Sequence, residues 1–313
     1  MNQALHVLTL ACAVLLASPS SIRAQELEPR LYQNVPVGLN AFLIGYGFST
    51  GNVLFDSSLP IEDGEADVHT VFAAYIRTLD FFGRSGKVDV VLPFADADFQ
   101  GFLDGEFRTR TPTGFADPRF RLAVNLTGSP PLTGEEFAKY QQQTIVGASL
   151  QVIVPLGQYD STKLINLGSN RWSFRPEVAV SQRFRRWFFE VAGGAWLFTT
   201  NDNFFGGQTL EQNSLYYIKG DIIYNFRFLR GLWLSFNAGW ANGGETTVDG
   251  VFKANLQRNS RLGSTLNIPL TRQNSLKVVY MSGLTTRLGS DFDSITLVYQ
   301  FTWGGKRGKP AGQ

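Results

Sequence analysis

The chain has 313 residues and carries 28 Lys and Arg against 26 Asp and Glu, for a formal net charge of +2. Charged residues make up 17%, below the roughly 25% of an ordinary soluble domain, while aromatics reach 13% and glycines number 32. The charge balance offers no basic face for nucleic acid, and one cysteine and two histidines exclude a disulfide scaffold, a thiolate metal centre and most His-based catalysis.

The N-terminus reads as an export signal. Val7 to Ala17 is an apolar run, followed by Ser18-Pro19-Ser20-Ser21 and then Ile22-Arg23-Ala24 before Gln25. Residues 1–24 are expected to be a signal peptide cleaved after Ala24. Cleavage removes Cys12 and His6 and leaves His69. Residues 25–34 are expected to form a periplasmic N-terminal segment or a plug. No later stretch approaches the roughly 20 apolar residues of a transmembrane helix.

From there the chain alternates apolar and polar residues in segments of about ten, the pattern of half-buried or membrane-spanning strands. Two faint segments come first, 35–48 and 67–79, whose faces the pattern does not assign. A third puts Val88, Val90, Leu92 and Phe94 opposite Lys87 and Asp89. A fourth sets Phe120, Leu122, Val124 and Leu126 against Arg119, Arg121 and Asn125. A fifth places Val146, Ala148, Leu150, Val152 and Val154 opposite Gly147, Ser149 and Gln151. The sixth opposes Trp172, Phe174, Val178 and Val180 to Arg171, Ser173, Arg175, Glu177 and Ser181. A faint seventh covers 187–199. The eighth sets Tyr216, Ile218, Ile222, Tyr224 and Phe226 against Lys219 and Asp221, and the ninth sets Leu232, Leu234, Phe236 and Trp240 against Ser235 and Asn237. The tenth opposes Leu262, Leu266, Ile268 and Leu270 to Arg261, Thr265 and Asn267. A faint eleventh covers 274–286. The twelfth ends the series with Ile295, Leu297, Tyr299, Phe301 and Trp303 opposite Thr296, Gln300 and Thr302.

Twelve is an even number, as a single-chain bacterial barrel with both termini on one side requires. The connections alternate: 49–66, 97–117, 157–170, 200–213 and 242–256 are long, and 80–86, 183–186, 227–231 and 271–273 are short, with 287–292 of medium length. One connection departs, because 128–142 should be a tight turn and is fifteen residues long. Its Thr133-x-x-Glu136 is the signature of a capped helix. Trp187 and Trp303 fall at one rim and Trp172 and Trp240 at the other, where a bilayer interface would hold them. The fold predicted is all-β, a transmembrane antiparallel β-barrel of the outer membrane with about 12 strands over 35–303, closed by a periplasmic tail at 304–313. A soluble β-sandwich would share the alternation but not the loop-length pattern or the aromatic last strand.

Charged residues on the inward faces are the first functional candidates. Arg175, Glu177, Glu190, Lys219 and Asp221 lie on three successive strands, with Arg121 and Arg261 adding positive charge further along. They are expected to form a lumen constriction that selects solutes, or salt-bridged filling that stabilises the barrel. An acidic run, Asp96-x-Asp98-x-Gln100-Gly101-x-x-Asp104-x-Glu106, partly matches a calcium loop. Phe107 stands where the bidentate Glu belongs, which favours a solvated loop. Glu62-Asp63-Gly64-Glu65-Ala66-Asp67 reads the same way. His69 has Ser57 and Ser58 nearby but no nucleophile motif. The glycines of Gly45-x-Gly47-x-x-x-Gly51 fit close strand packing better than a nucleotide loop.

Several stretches carry a family resemblance: Glu28-Pro-Arg-Leu-Tyr-Gln-Asn-Val-Pro36, Lys87-Val-Asp-Val-Val-Leu-Pro93, Gly114-Phe-Ala-Asp-Pro-Arg119, Gly157-Gln-Tyr-Asp160 and Ile165-Asn-Leu-Gly-Ser-Asn-Arg-Trp-Ser-Phe-Arg-Pro-Glu177. In these the chain resembles a family of outer-membrane transporters named for the MetA pathway of phenol degradation. The resemblance implies a barrel and uptake of aromatic or other small hydrophobic compounds, and it supplies no catalytic residue. The function expected is passive passage of small solutes. The alternatives are a lipid-modifying barrel enzyme and a structural barrel without transport. The partners expected are outer-membrane lipid and lipopolysaccharide, the barrel-assembly machinery and a small-molecule solute. No nucleic acid, metal or cofactor is called for.

Overall fold

The structure is a computed structural model that describes residues 28–54, 61–103, 105–287 and 289–305. The expected signal peptide, Ser57 and Ser58, Asp104 and most of the C-terminal tail lie outside these residues. Twelve long strands form one closed antiparallel ring: β1 (Leu39–Leu54), β2 (Ile61–Phe81), β3 (Arg84–Leu103), β4 (Arg119–Thr127), β5 (Ile145–Ile153), β6 (Ser173–Phe184), β7 (Trp187–Phe198), β8 (Leu215–Asn225), β9 (Trp233–Gly243), β10 (Gln257–Pro269), β11 (Asn274–Thr286) and β12 (Gly289–Gly304). Each strand pairs with its chain neighbours, and β1 closes the ring on β12 in unbroken register from Leu39↔Gly304 to Leu54↔Gly289.

The alternation in sequence becomes an inside-out distribution. Ile44, Val178, Val191, Ile218 and Leu297 are about half exposed on the outer surface, while Ser149, Arg175, Glu177, Ser181, Lys219 and Asp221 are buried inside. That is the arrangement lipid demands, since a cationic side chain at the bilayer midplane costs about 2–4 kcal/mol. The two faint first strands acquire faces. Phe42, Ile44 and Tyr46 of β1 point outward, and Leu43 points in beside Ala41 and Ala74. On β9 the inward position at the start of the strand is Trp233. Leu232, expected on the lipid face, is buried in the preceding turn.

Aromatic rings band both rims, as their amphipathic chemistry favours. Trp187 packs on Tyr224 at 4.7 Å between centroids and Trp303 on Phe301 at 5.4 Å at one end. Trp172 stacks on Phe174 at 6.4 Å at the other.

The connections depart from the expected lengths in an instructive way. The 49–66 and 97–117 regions, expected as long loops, are largely strand. β2 runs 21 residues and β3 runs 20, about twice the 9–11 that a spanning strand needs. The acidic run from Asp96 is therefore a paired ribbon, with Asp98 opposite Asp67 and the Thr113 hydroxyl donating to Asp96. Among the described residues the run holds no cluster of acids that could grip a metal ion. An inverted alternation hid these extensions: beyond the bilayer Asp63, Glu65, Asp67, Asp96, Asp98 and Gln100 face outward into water while Ala66, Ala95 and Ala97 are buried on the other face. Likewise 200–213 and 242–256 are not simple loops. Within them Asn201–Phe204, Gln208–Gln212, Thr246–Val248 and Val251–Phe252 pair into a small separate sheet.

At the opposite end the turns are tight. Phe82 and Gly83, both at positive φ, join β2 to β3, the geometry whose twist matches a two-residue hairpin. The long connection there holds helix α1 (Gly134–Lys139), with the expected capping box: Glu136 accepts from the Thr133 backbone N–H at 2.7 Å and Thr133 Oγ1 accepts in return from the Glu136 N–H. Those bonds hold the Glu136 carboxyl below the usual carboxylate range. The lowered value means that the carboxylate supports the helix above the ordinary range and that support is lost as pH falls through the lowered value. Amide exchange over 134–139, corrected for intrinsic rates, is expected to rise on acidification in the native protein and to be independent of pH in Glu136→Gln.

One glycine position is set by a close approach. A Cβ on Gly147 would stand 2.2 Å from Cδ1 of Tyr32, whereas one on Gly193 would meet nothing nearer than 3.6 Å. Gly147→Val is expected to destabilise the barrel by about 1–3 kcal/mol, as overpacking does. Gly193→Ala should leave the melting temperature in detergent unchanged.

Candidate functional site in the lumen

The segment before β1 does not hang free of the barrel. Leu31, Tyr32, Gln33 and Asn34 are buried, and the chain from Glu28 to Val37 is bonded to the inner wall. Lys87 Nζ on β3 donates to the carbonyls of Leu31 (2.6 Å), Gln33 (2.9 Å) and Arg30 (3.4 Å). Asn125 Nδ2 on β4 donates to the Tyr32 carbonyl at 3.0 Å. The Arg30 N–H donates to Glu190 Oε2 at 3.0 Å, and its guanidinium lies 4.9 Å from the centroid of Trp233. The Val37 N–H reaches the Leu132 carbonyl at 2.9 Å. A lysine binding three carbonyls of one turn satisfies groups that water would otherwise have to reach.

Around this segment the inward charges fall into two clusters. In the first, Glu177 on β6 accepts from three donors: the Lys219 ammonium at 3.0 Å, the Tyr217 hydroxyl at 2.7 Å and the Tyr32 hydroxyl at 2.9 Å. Arg175 stacks over Trp196 and Tyr217, at 5.1 and 5.7 Å from their centroids. In the second, Arg121 on β4 pairs with Asp89 at 2.8 Å and Glu28 at 2.7 Å. The strand register sets Asp89, Arg121, Gln151 and Arg175 side by side on β3 to β6. It also sets Lys219 and Arg261 in one row, separated by Gly239.

Glu190 and Asp221 are direct neighbours on β7 and β8. They are separated chemically by their donors: Ser181 Oγ and the Arg30 N–H for Glu190, and the Asn237 amide for Asp221. Of the seven charged candidates read from the sequence, the structure thus brings Glu177 and Lys219 into contact and pairs Arg121 with residues outside the set. Glu28, Arg30, Tyr32, Lys87, Asp89, Tyr217, Trp233 and Lys277 join them. The inward parity of Lys87 and Asp89 was visible in the alternation. The partners of Glu28 to Tyr32 were not, because nothing local says which wall groups a coil segment will meet.

The lumen has a second, apolar wall. Leu43, Phe72, Ala74, Ile76, Val91, Val279, Met281 and Val298, from β1, β2, β3, β11 and β12, face inward. Gly45 of β1 lies under the Phe72 ring, which a Cβ there would strike at 2.2 Å. A cavity of about 250 Å³ separates this wall from Glu28, Arg119, Arg121 and Lys277. A larger cavity of about 550 Å³, lined by Trp196, Phe198, Asn259 and Arg261 among others, occupies the outer half.

Above it, Asp117 ties the outer connections together: its carboxylate accepts from the Gly157 N–H (2.8 Å), the Ser169 N–H (2.7 Å) and Ser169 Oγ (2.6 Å). The Asn201 amide reaches Tyr159 and Ser169 at 3.1 and 3.2 Å. His69 stands apart on the outer surface, with Nδ1 2.7 Å from the Tyr46 hydroxyl and its ring 4.9 Å from Phe48.

Arg121→Met strands the buried Asp89 carboxylate and removes the partner of the partly exposed Glu28, and losing one partner of a buried ion pair typically costs about 3–5 kcal/mol. We expect a lowered melting temperature in detergent, with most of the loss recovered in the Arg121→Met/Asp89→Asn double variant.

Comparison with known proteins places this geometry. The family model described as "Putative MetA-pathway of phenol degradation" matches residues 47–304. An outer membrane channel from Pseudomonas putida F1 superposes with a TM-score of 0.75 at 20% identity, covering 89% of this chain and 100% of that one. The β domain of the Bordetella autotransporter BrkA gives a TM-score of 0.49 at 11% identity, covering 85% and 100%. No curated protein matches the chain. The fold is that of an outer-membrane β-barrel, and the outer membrane is where the chain resides.

Proposed function

We propose that this chain, which belongs to the MetA-pathway phenol-degradation family, is a passive channel through which small molecules with an aromatic or apolar part cross the outer membrane. The observation that carries this reading is the two-sided lumen. A polar solute passes along charged walls alone in a water-filled pore. Here Leu43, Phe72, Ile76, Val91 and Val298 line one side of the passage while charges occupy the other. Apolar surface inside a barrel is costly to hydrate, and it becomes favourable when a solute covers it, at roughly 25 cal/mol per Å².

The route runs from the outer cavity, past Arg175, Glu177, Lys219 and Arg261, to the smaller cavity beside Glu28. The segment from Glu28 to Val37 stands in that path as a plug, held by Lys87, Asn125 and Glu190. Arg121, Arg175 and Lys219 are proposed to set charge selectivity at the narrow part, and Glu190 and Asp221 to hold the plug side of the wall. His69, bonded to Tyr46 on the outer surface, has a structural part in this reading.

Single-channel recording in planar bilayers tests it. The mature protein is expected to conduct, and Arg175→Ala with Lys219→Ala to shift the ion preference toward cations. Replacing Glu28 to Val35 by a Gly/Ser linker should raise conductance several-fold. A protein without conductance, together with unchanged aromatic uptake in deleted and complemented cells, would falsify the channel reading.

A further inference from the structure

The channel reading leaves open which solutes the inner cavity prefers, and the arrangement of charge around it bears on that. Its volume of about 250 Å³ lies just below the roughly 300 Å³ at which pockets for drug-sized ligands begin. The occupant is therefore small. Phe72, Leu43 and Val91 offer it an apolar bed.

Both carboxylates at the cavity are already committed. Glu28 and Asp89 each hold Arg121, at 2.7 and 2.8 Å. Lys277 is placed differently. It lines the same cavity from β11, with Val298 of the apolar wall as its register partner. Among the described residues its ammonium has no hydrogen bond and no ion pair, and Glu28 is the carboxylate that acts on it from a distance. With Arg119 also at the lining, the cavity holds one more cation than carboxylates.

An ammonium beside an apolar surface gains most from a ligand that brings both an anion and an apolar body. Resting on the channel reading, we propose that this cavity is a binding station for small amphipathic monoanions, a carboxylate on a compact apolar or aromatic body. Lys277 takes the head and the Phe72 wall takes the body. The two phases of the cavity select jointly: a neutral aromatic leaves the ammonium without a partner, and a small inorganic anion leaves the apolar wall wet.

Trp233 lines the same cavity, so its fluorescence reports occupancy, with Trp233→Phe as the control for the other tryptophans. Benzoate, phenol and benzylamine are titrated against the purified full mature protein in detergent. Saturable quenching by benzoate is expected, at least tenfold tighter than by phenol, and absent for benzylamine. Lys277→Gln should weaken benzoate about tenfold, the loss of one charge-assisted hydrogen bond, and leave phenol unchanged, while Lys277→Arg retains benzoate binding. Equal affinity for benzoate and phenol, or benzoate binding indifferent to Lys277→Gln, overturns the proposal. Conductance measured on the same preparations separates the two readings. Conductance without preferential benzoate binding removes only the station, and absence of both removes the channel as well.

Discussion

Every backbone N–H and C=O facing hydrocarbon has to find its partner within the protein, because lipid offers none. Here that constraint is met by the bonding of β1 to β12, which turns a sheet into a ring without an edge. The rest follows from closure. Once the ring is sealed, alternate side chains are divided between lipid and lumen, and the polar set is forced into a narrow space. Charges so confined need partners. The pairs Lys219–Glu177 and Arg121–Asp89 are the response, along with the backbone groups of the segment from Glu28 to Val37.

That segment does for the lumen what a core does for a soluble domain. Tyr32 fills the space that Gly147 leaves and offers its hydroxyl to Glu177. Lys87, which would otherwise be a buried cation, spends its hydrogens on three carbonyls. The outer end is organised by a comparable economy of groups, with Asp117 binding Gly157 and Ser169 across forty and more residues of chain. The stretches that carry the family resemblance, around Gly114 to Arg119, Gly157 to Asp160 and Ile165 to Glu177, meet at this carboxylate.

Much of the architecture was legible in the sequence because a period of two is a strong signal wherever one face meets lipid. Strands such as Ser173–Phe184 and Leu215–Asn225, with Val178 and Ile218 opposed to Glu177 and Lys219, announce both their extent and their faces. The signal failed where its physical cause stops. β1 and β2 carry apolar residues on both faces, since their inner side forms the apolar wall, so parity assigned nothing. The upper parts of β2 and β3 invert the pattern, with Glu65, Asp67, Asp96 and Asp98 outward and Ala66, Ala95 and Ala97 inward, and read as loops. The inward charges could be named from parity, but their partners could not. Arg121 meets Glu28 only because a coil segment folds back into the ring, a contact that spans 93 positions with no local trace. Lys277 and Trp233 were hidden for a related reason: each matters through what lies across the lumen, and its own strand says nothing of that.

The join between the N-terminal segment and the barrel has a mechanical consequence. Val37 and Gly38 are bonded to Leu132 and Thr78, and Leu39, the next residue, already belongs to the strand that seals the ring. Any pull that withdraws the segment is therefore applied directly to the seam, where the first and last strands of the cylinder are zipped together. The segment bonded inside the lumen and the strand that fastens the ring are one continuous piece of chain, like a lining sewn into the seam of its sleeve.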